Sequence, residues 1–547
     1  MTDRSRILAI VGAAATAITA SAQTVYSPVR INPRPVDDYT PYYNTGIAGI
    51  NSQTQTEIVA ATTRADSPSE VFYAISFNNG AGFSSTGTMA VDDTTQPALA
   101  HPTVLYTLSG GQQQFWLGAS GVYAGGTSGA YISQKDISDT AFNDAGAGVE
   151  DTSGYELITR PLFSSHPFDS DLFLSLSRDL GGCCINCVGD LPSMYTLNSP
   201  DFAQNWSDAQ VQPPNPINTC EYRGRGPTIA LRDTDEIVVA AADVDEVTFG
   251  TPSDWVYNEG RPYVTWYDSS SGWSAPVLLG NNAFPAIEAP EPGDAIAIDG
   301  GEWLPYMALK RRLNDDDYVY VLFAAKESSG SNNTDLYIAW SLDGGETFLN
   351  SNILHLDDLT LHGSAGDSDG PDQIPAGISV DSCGGVHILW YDTNRDDSGT
   401  SDVELDVHWA FIDDFGLGSQ SITDARLTDD PFAAGTMASP VYLGERQSLT
   451  AVQRGFAGLW VFGCFAKYED GAVNTYVQRV RTFHACSSGG AALDANPNGT
   501  LESMDLVQFT SDWSAEWPNA DLDGDGDVDT DDYTLYLDAY TNYGSQE

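Results

Sequence analysis

Lysine is nearly missing from this chain. Four of its 547 residues are lysine (Lys135, Lys310, Lys326 and Lys467), and Lys+Arg total 23 against 76 Asp+Glu, for a formal net charge of −53. Phosphate backbones and anionic headgroups are held by clustered Lys and Arg, so this scarcity of base argues against nucleic acid and anionic lipid as partners. Charged residues make up only 18% of the chain while 41% is hydrophobic, which separates it from a disordered polyelectrolyte. The length suits more than one domain. Long apolar runs are also lacking: Ile7 to Ala20 is followed by no run as long, and it falls short of the roughly 20 residues that cross a bilayer as a helix. Preceded by Arg4 and Arg6 and followed by Ala20-Ser21-Ala22, it reads as a secretory signal over residues 1–22. The expectation is a secreted protein, extracellular or cell-surface associated, with no transmembrane segment. H-E-x-x-H and P-loop patterns are absent, which leaves zinc peptidase and nucleotide chemistry without support.

Seven cysteines occur, Cys183, Cys184, Cys187, Cys220, Cys383, Cys464 and Cys486. An exported chain favours disulfides. The group from Cys183 to Cys220 also offers four thiolates to zinc, though without paired C-x-x-C spacing; connectivity stays open.

From about Tyr26 to Phe483, sustained 3.6-residue periodicity gives way to short runs rich in Val, Ile, Tyr, Phe and Trp, separated by Gly, Asp, Asn and Ser. That pattern predicts an all-β region, with strands such as Glu57 to Ala61, Val71 to Phe77, Tyr318 to Ala324, Leu336 to Trp340 and Val386 to Tyr391. Tyr263 to Asp268 and His387 to Asp392 share a Trp-Tyr-Asp ending, which suggests one structural unit used twice. His387, inside an apolar strand, reads as a core imidazole, and Asp268 and Asp392 as turn formers.

The sharper unit is Ser341-Leu342-Asp343-Gly344-Gly345-Glu346-Thr347-Phe348, after the run Leu336 to Trp340. An Asp at the mouth of a tight hairpin accepts N–H bonds from the turn, Gly permits positive φ, and the aromatic folds back between strands. Weaker copies are Ser76-Phe77-Asn78-Asn79-Gly80 with Phe83, and Ser177 to Gly181 with Cys184. On these motifs the region resembles the Asp-box, or BNR-repeat, β-propellers of the sialidase superfamily, with Ser341, Asp343, Gly345 and Phe348 as the structural Asp-box. The resemblance implies a six-bladed propeller, alternatively seven-bladed, over residues 23–485; a pair of β-sandwiches is the competing arrangement. It also implies a glycan ligand. Sialidases use a Tyr nucleophile, and the resemblance implies an arginine clamp on the substrate carboxylate. Arg160, Arg223, Arg225, Arg232, Arg261, Arg311, Arg446 and Arg454 supply guanidinium groups, but Arg30-Ile31-Asn32-Pro33 only approaches the family's early Arg-Ile-Pro motif. No catalytic residue is assigned.

After Cys486 the composition changes. Residues 486–493 form a Ser/Gly/Ala linker, and a module follows over 494–547. Asp494, Asn496, Asn498, Thr500, Glu502 and Asp505 place oxygen side chains at alternate positions of a loop turning at Gly499; Asp521, Asp523, Asp525, Asp527, Asp529 and Asp532 do so around Gly526. Ca²⁺ takes six to eight hard oxygens, and such a loop brings alternate side chains onto one ion, so two Ca²⁺ ions are expected. The two loops repeat with a period of 27 residues, which also relates Phe509 to Tyr536 and Trp513 to Tyr540. A loop followed by a helix, used twice, resembles a dockerin domain. This implies a cohesin-like or cell-surface scaffold as partner, met through Ser503, Met504, Thr530 and Asp531. The resulting expectation is a glycan-binding or glycan-processing propeller tethered by a small α-helical calcium module, with a noncatalytic surface protein and a retaining exo-sialidase as alternatives.

Overall fold

The computed structural model describes the strands between Thr24 and Thr482 with their shorter connections, then residues 503–514, 530, 533–534 and 536–537. The longest stretches outside it are 1–23, 181–192, 200–223, 280–304, 357–372, 483–502 and 515–529. Within these bounds the protein is nearly all β. No helix of the described residues is long and apolar enough to cross a membrane.

Seven antiparallel sheets of three or more strands follow one another along the chain. The first runs Tyr42–Asn51, Thr56–Arg64, Glu70–Ser76, Ser85–Thr88. The second is Ala98–Ser109, Gln112–Val122, Ser128–Asp136, Gly146–Asp151, and the third Glu156–Ser165, Leu172–Leu180, Ser193–Ser199. The fourth has Gly224–Asp233, Glu236–Val244, Gly260–Asp268 and Gly272–Trp273. The fifth is Tyr306–Lys310, Tyr318–Lys326, Thr334–Ser341, Ile353–His355, and the sixth begins Gln373–Val380, Val386–Asp392, Asp402–Asp413. The seventh is Ser448–Gln453, Leu459–Glu469, Ala472–Thr482, completed by the early strands Thr24–Val25 and Val29–Arg30 against Ala472–Thr482. The example strands read from the sequence fall in these elements, except that Phe77 lies one residue past the end of Glu70–Ser76.

The chain divides into two compact units, one of Pro28–Ala451 with Phe462–Gln478, the other of Met1–Ser27, Val452–Val461 and Arg479–Glu547. In the larger unit the first strand of each sheet neighbours the first strand of the next, from the first sheet through the sixth. The seventh sheet joins both ends of this series. Ala451 N donates to Ser379 Oγ of the sixth sheet at 3.1 Å, and Ile47 N of the first sheet donates to Ser448 Oγ at 3.1 Å. Thr62 Oγ1 lies 2.7 Å from Thr475 Oγ1. Backbones meet closely along this series: a Cβ on Gly46 would lie 3.1 Å from the Pro102 carbonyl oxygen and the Thr103 Cα, so glycine sets the spacing of the first two strands.

Apolar cores lie between successive sheets. Val59, Val71, Ile75, Phe115, Leu117 and Tyr131 pack the first sheet on the second. Val264, Leu279, Val321, Tyr337 and Ala339 join the fourth and fifth, and Leu322, Ile338, Trp340, Ile388, Trp390 and Ala410 the fifth and sixth. Strands covered on both faces have no solvent side, which is why their sequences run continuously apolar instead of alternating.

The shared Trp-Tyr-Asp ending does not mark one repeated position. Tyr263 to Asp268 belongs to the third strand of its sheet, His387 to Asp392 to the second of its own. Any strand sandwiched between two neighbours favours the same residue types.

In the smaller unit one helix, Ser503–Ser514, is described. Its Phe509 is buried and stacks on Tyr536 with ring centroids 3.9 Å apart and planes 8° from parallel, while Trp513 meets Tyr533 at 4.8 Å. The two positions related by the 27-residue period are thus one another's packing partners.

Candidate functional site

Six of the seven first strands, those of every sheet but the fourth, line a cavity of about 210 Å³. Its polar lining includes Asn44, Thr45, His101, Gln447 and Ser448; Ile47, Pro102, Leu162 and Met307 give apolar surface, and Tyr306 gives both. Among the described residues that line it there is no carboxylate and no guanidinium.

Each polar group is set by the sheet beneath it. Thr45 Oγ1 donates to the Cys464 carbonyl at 2.8 Å. Gln447 is held at both ends, Nε2 donating to Leu443 O and Oε1 accepting from Ala466 N, both at 2.9 Å, while its backbone N donates to Tyr306 Oη at 3.2 Å. Behind it Tyr391 Oη donates to Ala466 O at 2.8 Å. Burial pushes the Tyr391 hydroxyl well above its ordinary value and the Cys464 thiol up to about 12, so this supporting layer stays uncharged. His101 N donates to Thr63 Oγ1 at 3.2 Å, and the ring Nδ1 lies 2.9 Å from Ser120 Oγ. Asn44 and His101 hold left-handed backbone, φ 53° and 52°. Chemically the described lining offers amide, hydroxyl and imidazole hydrogen-bonding groups beside apolar surface, which suits an amphipathic ligand.

The Asp-box residues lie away from this cavity, at the turn after Thr334–Ser341. Ser341 Oγ accepts from Gly345 N at 2.8 Å and Asp343 N at 3.3 Å and donates to Asp343 Oδ1 at 2.5 Å. Asp343 Oδ1 accepts from Thr347 N at 2.9 Å, and Phe348 packs on the core between the fourth and fifth sheets. Partial burial pushes the Asp343 carboxyl up, but the hydrogen bonds from Ser341, Thr347 and the backbone outweigh it and hold the group below the ordinary carboxylate range. At Ser76 the weaker copy forms the same bonds, with Gly80 N on Ser76 Oγ at 3.0 Å and Gly82 N on Asn78 Oδ1 at 3.0 Å. Gly181 and Cys184 of the third copy lie outside the described residues.

His387 is fully buried, its Nε2 2.9 Å from Asp381 Oδ2 and its ring stacked on Trp409. Asp392 is buried and accepts from the Trp390 indole at 3.3 Å. Both belong to the interior of the sixth sheet. The side chains of Arg160, Arg225, Arg232 and Arg261 lie outside the described residues, as do Arg223, Arg311, Arg446 and Arg454 altogether; Arg30 is exposed on its strand.

Of the loop residues, Asp494, Asn496, Asn498, Thr500, Glu502, Asp521, Asp523, Asp525, Asp527, Asp529, Asp531 and Asp532 lie outside the described residues. Ser503, Met504 and Asp505 open the helix Ser503–Ser514, and Thr530 is helical and exposed. Five of the six other cysteines share that fate with Cys383, leaving Cys464 as the described one, a buried free thiol.

Asn44, His101, Tyr306 and Gln447 escaped sequence reasoning. The signal that marks two of them is a polar residue beside a break in a strand run, as at His101-Pro102.

No family model and no curated protein matches the chain. Among solved structures it is similar to an α-L-arabinofuranosidase from Fusarium graminearum, at 11% identity over 84% of this chain and 98% of that one, TM-score 0.42. It is similar to the BP39L lectin from Burkholderia pseudomallei, at 11% identity over 80% and 96%, TM-score 0.45. It is also similar to a Hadza microbial sialidase, at 12% identity over 64% of each chain, TM-score 0.38. By their names these proteins act on or bind glycans; overlaps this loose carry no residue and no reaction to this chain.

Proposed function

We propose that the larger unit is a seven-bladed β-propeller whose central cavity binds a neutral glycan, and that the chain is secreted and tethered through a calcium-folded, dockerin-like module. The succession of seven sheets favours the seven-bladed alternative over six. The observation that carries the binding reading is the cavity's described lining: fixed amide, hydroxyl and imidazole groups, with no carboxylate or guanidinium, beside proline, aliphatic and phenol surface. A sugar ring presents hydroxyls at its edge and C–H groups on its faces, and both need partners of these kinds. Hydrolysis asks for more, either a carboxylate pair or the Tyr nucleophile of sialidases, and a carboxylated substrate asks for bidentate arginine. The described lining offers a tyrosine without either partner class, which ranks binding above sialoside cleavage.

For the tether, the stacking of Phe509 on Tyr536 supports two loop–helix units packed face to face. Asp494, Asn496, Asn498, Thr500, Glu502 and Asp505 would hold one Ca²⁺, and Asp521, Asp523, Asp525, Asp527, Asp529 and Asp532 the second. Their mutual repulsion without the ion makes folding of this segment metal-dependent. Ser503, Met504, Thr530 and Asp531 would face a cohesin-like partner.

A glycan array run beside a fluorogenic sialoside assay tests the first part: retention on neutral saccharides without turnover is expected, and turnover of the sialoside overturns it. Calorimetric titration with Ca²⁺ tests the second. Two binding events, with loss of exchange protection in 494–541 on chelation, are expected; a flat titration removes the tether.

A further inference from the structure

The polar side chains around the cavity are not equally reachable. Asn44, Thr45, Thr103, Tyr306 and Gln447 are buried, and His101 Nδ1 lies against Ser120 Oγ. Ser448, which opens the first strand of the seventh sheet, lines the same cavity and is half-buried. A serine hydroxyl carries one hydrogen and two lone pairs. The Ser448 oxygen accepts from Ile47 N at 3.1 Å, and among the described residues its hydrogen has no acceptor.

The bond that occupies the oxygen also holds it in place. Ile47 belongs to the first strand of the first sheet, so Ser448 stands where the last sheet meets the first. The backbone here is closely packed: a Cβ on Gly377 of the sixth sheet would lie 2.9 Å from Leu449 Cβ and 3.4 Å from the Ser448 carbonyl carbon. A side chain already fixed by its neighbours has little rotamer freedom left to lose when a ligand arrives. Accepting from an N–H also polarises a hydroxyl, which makes it a better donor.

Ser379 gives the molecule its own control. Its Oγ accepts from Ala451 N at 3.1 Å, the same bond one junction earlier, between the sixth and seventh sheets. In both places a serine of one first strand receives a backbone N–H from the next first strand. Ser379 lies outside the cavity lining. The two serines therefore share one structural task, and Ser448 alone of the pair reaches the cavity.

We propose that Ser448 is a specificity-determining contact of the cavity, its hydroxyl donating to an oxygen of a neutral saccharide while it accepts from Ile47 N. The two bonds form one chain, from the Ile47 N–H through the Ser448 hydroxyl to the saccharide oxygen. Because each bond strengthens the other, the ligand tightens the junction of the last sheet on the first as it binds. This rests on the glycan-binding reading, and it adds which side chain selects the ligand and which junction responds.

On a neutral-saccharide array the full chain is expected to be retained. Ser448→Ala and Ser379→Ala each strand one N–H between sheets and are expected to lower Tm by similar amounts. Ser448→Ala is expected to lose about tenfold in affinity, while Ser379→Ala binds as the wild type does. A second measurement needs no variant: in the wild-type chain saturated with the best-retained saccharide, amide exchange is expected to slow more at Ile47 than at Ala451. Undiminished binding by Ser448→Ala, equal loss of affinity in the two alanine variants, or equal exchange at the two amides overturns the proposal and leaves the glycan reading standing. Wild-type protein retained on no neutral saccharide overturns both.

Discussion

The turn at Ser76–Phe83 and the turn at Ser341–Phe348 are built alike, position for position. In each the serine hydroxyl accepts N–H bonds from the residues two and four places on. In each the amide or carboxylate oxygen of the third residue accepts from the residue four places beyond it, and two positive-φ residues turn the chain, Asn79 and Gly80 in one, Gly344 and Gly345 in the other. The difference is Asn78 against Asp343. The carboxylate has a second strong acceptor, and Thr347 Oγ1 donates to it at 2.6 Å. The geometry therefore needs an acceptor at this place but no charge, whereas charge adds a bond and a dependence on pH. The two also differ in surroundings: a Cβ on Gly80 would lie 2.7 Å from the Phe462 ring.

That contrast can be broken in a graded series. The largest effect is expected from Gly80→Ala, where positive φ and the Phe462 ring act together; calorimetric melting should show a loss of about 2–4 kcal/mol, and Gly345→Ala should cost less. Ser341→Ala and Ser76→Ala each strand buried N–H groups and should cost about 1–3 kcal/mol by the same measurement. Asp343→Asn converts the second turn into a copy of the first and should cost under about 1 kcal/mol at neutral pH.

The pH dependence sharpens the pair further. Because the folded Asp343 carboxyl titrates below its ordinary value, its stabilising contribution is full above the unfolded value and disappears as pH falls through the folded one. Melting temperatures of Asp343→Asn and wild type should therefore converge in strongly acidic buffer. Asn78→Asp should open such a gap at the first turn, with its carboxylate favoured at neutral pH; a pH-independent difference in either case would show that hydrogen-bond geometry alone governs these turns.

These turns were legible because everything they use lies within eight consecutive residues. The strands were legible for a related reason: β-branched and aromatic runs ended by turn residues report local preference directly. The core character of His387 could also be read, since an imidazole among Val386, Ile388 and Leu389 has few places to go but inward, and Asp381 partners its Nε2 there. The Trp-Tyr-Asp phrase misled because burial between two sheets selects the same residues in the second strand as in the third. The cavity was not legible at all. Asn44, His101, Tyr306 and Gln447 are far apart in the chain, and no spacing rule relates them.

By itself the sequence determined the nearly all-β character, the acidic surface, the turn chemistry around Ser341 and the aromatic pair Phe509 and Tyr536, because each depends on composition or on neighbours within one element or one repeat. Only the tertiary structure decided that the described sheets of three or more strands number seven, that the strands near the start complete the last sheet, and which first-strand residues meet at the cavity. Those outcomes depend on the register of strand pairing and on how closely glycines such as Gly46 let backbones approach, and a shift of one residue in register, which the linear pattern hardly records, turns a side chain from one face of a sheet to the other.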